Sequence, residues 1–213
     1  MYQPPLFKED RLDVMHGLIR THPFGLVISV DSDGIPIANP LPLLLDPTRG
    51  DKGTLLGHFA RANPQWKMLA ETGRALVVFQ GAYSYVTPSW YETKKETGKV
   101  VPTWNYAMVQ ARGIAKIHED TEWLRAQVGQ LTDRHEDGRS EPWAVGDAPE
   151  SFIDSQLKGI VGLEIEIESL DGKWKVSQNR PVPDRIGVAE GLMADDAGAN
   201  AGMVKLVKEY GGI

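Results

Sequence analysis

The chain has no cysteine. Disulfides, thiolate metal sites and cysteine nucleophiles are therefore excluded. Its five histidines, at 16, 22, 58, 118 and 135, show no HExxH or other metal-ligand spacing. There is no GxGxxG after a strand, no GxxxxGK[ST] and no GxSxG elbow. Any reaction would thus depend on a bound cofactor. No apolar run reaches the length of a membrane span. The opening MYQPPLFKEDRLDV lacks the basic and apolar regions of a signal peptide. No membrane partner is expected, and the cytoplasm is the expected compartment. Positive charge is also short: 23 Lys and Arg against 29 Asp and Glu give a net charge of -6. That argues against a sequence-independent nucleic-acid binder, whose affinity comes from neutralising phosphates. Basic residues cluster at Lys94, Lys95 and Lys99, and again at Lys173, Lys175, Arg180 and Arg185.

What the chain does contain is a helix, several strands, a helical insert and a late strand pair. Leu12, Met15 and Ile19 share one face of a helix over 8–21, which His22-Pro23 stops. FGLVISV (24–30), TLLGHFA (54–60) and RALVVFQ (74–80) read as strands, the first and last of them buried. IPIANPLPLLLD carries Pro40 and Pro42, which forbid a regular central strand and suit an edge or a kink. Asn63 and Pro64 open a short helix over 63–73. Residues 160–170 alternate strictly, with Val161, Leu163, Ile165 and Ile167 on one face and Glu164, Glu166 and Glu168 on the other. This is a half-buried antiparallel strand, expected to end in a tight turn at Asp171-Gly172. The tail after Pro181 reads as helix broken at Gly187, Gly191 and Gly198. Strands without βαβ alternation point to an antiparallel barrel or sandwich with peripheral helices. The expected division is a barrel domain over 1–180, with a helical insert at about 121–157, and a helical extension over 181–213.

Three stretches carry the chemistry. YVTPSWYETKKETGKVVPTWNY, residues 85–106, places Pro, a hydroxyl and an indole together twice, at Pro88-Ser89-Trp90 and Pro102-Thr103-Trp104. An indole stacks on a planar heteroaromatic ring, and Ser89 and Asn105 can address its polar edge. Either indole alone reads equally as a core plug. GHFARANPQW, residues 57–66, sets His58 and Arg61 just before a helix N-terminus at Asn63, an arrangement that favours phosphate. It reads also as a capped helix with a surface arginine. GKWKVSQNRP, residues 172–181, flanks Trp174 with two lysines and lines up Gln178, Asn179 and Arg180 as donors toward an anionic or carbonyl-rich group, although tandem amides are common in turns.

Together YVTPSWYETK, VPTWNYAMVQARG, GHFARANPQW and GKWKVSQNRP resemble the signature segments of the PaiB-like family, described as FMN-binding negative transcriptional regulators. The resemblance runs from the N-terminal helix to the tail. It implies an FMN-binding split β-barrel, pyridoxamine-phosphate-oxidase-like, in a homodimer with FMN near the interface. It further implies that His58, Arg61 and Asn63 hold the FMN phosphate, and that Ser89, Trp90, Trp104 and Asn105 lie along the flavin. Lys175 and Gln178 would reach it, across from a partner subunit. DNA binding is implied by the resemblance alone, since no helix-turn-helix pattern stands out. Two other functions stay open: an FMN-dependent oxidoreductase or flavin reductase acting on a small substrate, and a flavin-independent interaction protein.

Overall fold

The computed structural model describes residues 1–213. In chain order the elements are β1 (Lys8–Glu9), α1 (Leu12–Thr21), β2 (Phe24–Val30), β3 (Pro36–Pro42), β4 (Leu44–Asp46), β5 (Thr54–Ala60) and α2 (Gln65–Thr72). There follow β6 (Arg74–Val86), α3 (Glu92–Thr97), β7 (Thr103–His118), α4 (Thr121–Glu136), α5 (Glu150–Leu157), β8 (Ile160–Lys175) and α6 (Val182–Gly211). The strands hydrogen-bond in the order β3-β2-β6-β7-β8-β5-β4, with β1 added on β8. The pairs β2–β3, β2–β6, β5–β8, β4–β5 and β1–β8 are antiparallel.

The chain forms two compact units. One comprises Leu12–Phe79 and Gln110–Leu170; the other comprises Met1–Arg11, Gln80–Val109 and Asp171–Ile213. The three long strands β6, β7 and β8 each give residues to both.

In the first unit, β3 pairs only with β2, with Pro36, Pro40 and Pro42 opposite Val30, Leu26 and Phe24. Alternate residues of a strand aim their N–H groups at opposite edges. The three prolines share one parity, so their missing donors fall on one side and the seven-residue ladder to β2 survives. This is the edge role that Pro40 and Pro42 predicted. The glutamine of NPQW has a structural task here. Gln65 is fully buried; its Nε2 donates to Val27 O at 2.9 Å and Ile37 O at 3.1 Å, and its Oε1 accepts from Asn39 Nδ2 at 2.9 Å. A buried amide with all these groups satisfied pins α2 to the β2–β3 hairpin.

The second unit packs α6 against the end of β6 and the segments that follow β6 and β8. Val86, Tyr91, Val176, Val188, Leu192 and Val207 form its core. Two expectations, the turn at Asp171-Gly172 and the helix breaks at Gly187 and Gly191, change here. No turn interrupts Asp171-Gly172: β8 continues to Lys175, because β1 pairs with it (Lys8 with Lys173, Glu9 with Gly172) and supplies the ladder. The polar stretch around Glu96 forms α3, closed by Gly98 in the left-handed conformation at φ 64°. Gly187 and Gly191 do not break α6, whose one non-helical residue is Asp196. They are sites of close approach. A Cβ on Gly187 would lie 2.0 Å from Trp90 O, and one on Gly191 would lie 2.3 Å from the Trp90 indole.

Candidate functional site

In the second unit, β7 alternates cleanly. Asn105, Ala107 and Val109 are buried, and Trp104, Tyr106 and Met108 face outward. On β6 the alternation slips by one residue at Ala82 and Tyr83, as a β-bulge produces. Beyond it Tyr83 and Tyr85 face outward while Ser84 and Val86 are buried. Trp104 lies 6.3 Å from the Tyr83 ring and meets Tyr85 edge-on at 5.7 Å. It is 54% exposed and Tyr83 58%. Gln80, Tyr83, Trp104, Asn105, Tyr106 and Met108 line a recess of about 260 Å³. An exposed aromatic surface of this kind is costly unless something covers it.

Lysines border this face. Lys175 Nζ donates to Trp104 O at 2.7 Å and to Thr103 Oγ1. Lys173, two residues earlier on the same strand, places Nζ 5.4 Å from the centroid of Tyr106 and 5.3 Å from that of Tyr2. Burial pushes the Lys175 ammonium below its ordinary pKa, and the charges of Lys173 and Arg180 push the same way.

On the buried side, Asn105 Nδ2 donates to Ser177 Oγ at 2.9 Å, and Ser177 Oγ lies 3.3 Å from Asn105 Oδ1. Ser177 is the one non-glycine residue with positive φ, at 67°. Gln178 is spent locally: Nε2 donates to Trp174 O, and Oε1 accepts from Val176 N at 2.8 Å. Asn105 and Gln178 thus shape the β7–β8 end and support the residues that face outward. Trp90 packs on α6 at Gly187 and Gly191, and so belongs to the packing of that helix. Ser89 is exposed and accepts from Lys94 Nζ at 3.3 Å.

The other three predicted residues lie in the first unit. His58 Nδ1 donates to Gln127 Oε1 at 2.8 Å. Arg61 uses all three guanidinium nitrogens: Nε donates to Lys158 O at 2.9 Å, Nη1 to Glu119 Oε2 at 2.5 Å and Nη2 to Ile160 O at 3.1 Å. Asn63 Oδ1 accepts from Gln65 N at 3.0 Å, at the start of α2. The strand-to-helix segment is therefore heavily cross-linked to the chain itself. A phosphate there would have to displace contacts that Arg61 already makes.

The sequence reading assigned no site role to Tyr83, Tyr85, Tyr106, Gln80, Lys173 and Ser177. The period-2 alternation of TWNYAMV was the available signal for Tyr106 and Met108, since it puts them on the face of Trp104.

A similar fold occurs among solved structures. The FAD and heme binding protein from Mycobacterium smegmatis superposes with a TM-score of 0.58 at 20% identity, over 79% of this chain and 73% of that one. The fold is the antiparallel split β-barrel of the pyridoxamine-phosphate-oxidase type, with peripheral helices. At the level of sequence, residues 1–169 match the family described as "Putative FMN-binding domain". Protease synthase and sporulation protein PAI 2 of Bacillus subtilis is 32% identical over 98% of this chain and 97% of its own. An uncharacterized protein of Emericella nidulans, AN0679, is 36% identical over 99% of this chain and 98% of its own. The chain belongs to the PaiB-like family of FMN-binding proteins, and FMN is its cofactor. No helix is long and apolar enough to cross a membrane.

Proposed function

We propose that this protein binds FMN on the outward face of β7 and acts as a PaiB-type negative regulator of transcription. The observation that carries the flavin seat is the exposed Trp104, flanked by Tyr83 and Tyr106 around a recess with lysines at its border. The donor set fits the cofactor. Flat aromatic faces suit the isoalloxazine ring, Gln80 offers an amide to its polar edge, and ammonium groups suit its anionic end. Bound FMN supplies reversible electron transfer; the chain supplies binding, orientation and electrostatics. Of the predicted residues, Trp104 and Asn105 line this recess, and Lys175 reaches the backbone oxygen of Trp104. His58, Arg61 and Asn63 retain the phosphate role only if Arg61 exchanges its present partners.

A recess of about 260 Å³ is smaller than the roughly 300–1,000 Å³ of typical small-molecule sites. We take the missing walls to come from a second copy of the chain, as in a homodimer with FMN near the interface. The regulatory part of the reading is supported by similarity to PAI 2 over nearly the whole chain. The openness of the aromatic face favours a second reading, a flavin reductase or oxidoreductase, because a ring seated there stays accessible to a small substrate.

The absorbance spectrum of the purified protein tests the flavin reading, with a band expected at about 450 nm. Trp104→Ala is expected to weaken FMN by about 1–3 kcal/mol if the ring stacks there. Colourless protein that takes up no added FMN refutes the reading. DNA affinity that falls with salt supports the regulator. Negligible DNA affinity at every salt concentration, together with turnover of NADH or NADPH, selects the enzyme.

A further inference from the structure

Most of the lysines and arginines that reach across the fold are already paired. Arg61 has Glu119, Arg49 has Glu164, Arg74 has Glu168 and Arg125 has Asp154. Lys173 and Lys175 differ. Lys173 is 7% exposed, makes no hydrogen bond within the chain and is held only against the rings of Tyr2 and Tyr106. Lys175 gives two of its three donors to neutral oxygens, Thr103 Oγ1 and Trp104 O, which leaves one free. Neither ammonium meets a carboxylate. Residues two apart on a strand share a face, so the two charges stand side by side along β8 with nothing of opposite sign between them.

We infer that Lys173 and Lys175 form an anion subsite, which takes the phosphate or carboxylate of a small molecule lying on the Trp104–Tyr106 face. The inference rests on reading that face as the flavin seat. The geometry favours an oxyanion over any other group. Two ammonium ions bordering aromatic rings attract a diffuse anion, and such a group can accept from both at once through different oxygens. Tyr106 joins the two features, since its ring lines the recess and carries Lys173 above it. Burial first, and then repulsion from Lys173 and Arg180, lowers the pKa of Lys175; an anion would relieve the second of these. The oxyanion has two sources of the same chemistry: the phosphate of FMN itself, or an acidic group on a second molecule laid beside the flavin.

The test compares FMN with riboflavin, which lacks the phosphate, on wild type, Lys173→Met, Lys175→Met and the double variant. Lys173→Arg and Lys175→Arg keep the charge and report on folding. If the anion is the flavin's own, the methionine variants lose about tenfold in FMN affinity. Riboflavin affinity then stays unchanged, the arginine variants recover FMN, and added salt weakens wild type alone. If the anion belongs to a second molecule, both flavins bind all variants alike. Inorganic phosphate, titrated by calorimetry into the riboflavin-loaded protein, then binds wild type and not the double methionine variant. The inference is overturned if flavin discrimination and phosphate binding are the same in wild type and the double variant. Failure of the flavin reading looks different: wild type binds neither flavin, while the phosphate titration on the protein alone still reports on the lysine pair.

Discussion

Replacing Gly191 with alanine is the sharpest single probe of the packing that holds α6. In an open helix interior the change would stabilise by roughly 0.5–1 kcal/mol, because alanine loses less backbone freedom. Here the new Cβ would sit 2.3–2.4 Å from three indole carbons of Trp90, far inside van der Waals contact. Overpacking of this kind costs about 1–3 kcal/mol. Gly191→Ala should therefore be destabilising by about 1–2 kcal/mol net of its helix propensity. Truncating Trp90 to alanine costs stability by itself but empties the space beside Gly191. In that background Gly191→Ala should be neutral or stabilising, a coupling of about 1–3 kcal/mol. Gly187 supplies the control. Its Cβ would meet the backbone oxygen of Trp90 at 2.0 Å, and no side-chain truncation removes that atom. Gly187→Ala should stay destabilising whether or not the indole is present. Urea titrations followed by far-UV circular dichroism would measure all four free energies. The reasoning is refuted if Gly191→Ala stabilises the otherwise unaltered protein, or if Trp90→Ala rescues Gly187→Ala and Gly191→Ala equally.

Other outcomes follow from the same geometry. Burial alone would raise the pKa of Glu9, but the hydrogen bonds from Arg11 and Tyr210 outweigh it and hold the carboxyl at about 2, below its ordinary 4.5. A depressed carboxylate contributes stability above pH 4.5 that is lost as pH falls toward 2. That gap corresponds to about 3 kcal/mol, so urea midpoints of wild type and Glu9→Gln should differ at pH 7 and converge below about pH 2. Ser177→Ala keeps the positive φ and deletes the partner of Asn105, whereas Ser177→Gly deletes the partner but relieves the backbone. Both should lose about 1–3 kcal/mol for the buried amide, with the glycine variant ahead by about 1 kcal/mol in thermal melts. Gly113→Ala would put a Cβ 2.0 Å from Glu166 O on the neighbouring strand, and it should fail to give folded soluble protein where a surface Gly129→Ala succeeds.

Legibility of the sequence followed the range of the interactions. The alternation over 160–170 and the prolines of β3 are local signals, and both predicted their strands correctly. The continuation of β8 past Gly172 could not be read locally, because its cause is pairing with residues 8 and 9 at the far end of the chain. Gly187 and Gly191 read as helix breakers because propensity is a local quantity, while their use is set by the backbone and the indole of Trp90, about a hundred residues earlier. Arg61 has the composition of a phosphate ligand. Its saturation by Glu119, Lys158 and Ile160 appears only once those segments are brought together. Trp104 and Lys175 could be named as candidates from the sequence, since an indole beside hydroxyls and a lysine beside amides are groups that ligands use. Lys173 was not, because a lysine between alternating residues looks like an ordinary solvated charge until its carboxylate partner proves missing.

The discontinuity of the unit that carries Trp104 bears on how the molecule is made. Its three segments end at residues 11, 109 and 213, whereas the other unit has all of its chain by residue 170. On the ribosome, the unit with β2 to β5 can close while the residues after 170 are still inside or leaving the exit tunnel. The aromatic face must wait, because Lys173, Lys175, Ser177 and α6 are synthesised after Leu170, the last residue of the first unit. Contacts between residues so distant in sequence form slowly. Until the final segment arrives, the nascent chain exposes Tyr83, Tyr85 and Trp104 without the strand that borders them. The outward aromatic rings of β6 and β7 thus lack their bordering strand until residues beyond 170 have left the ribosome.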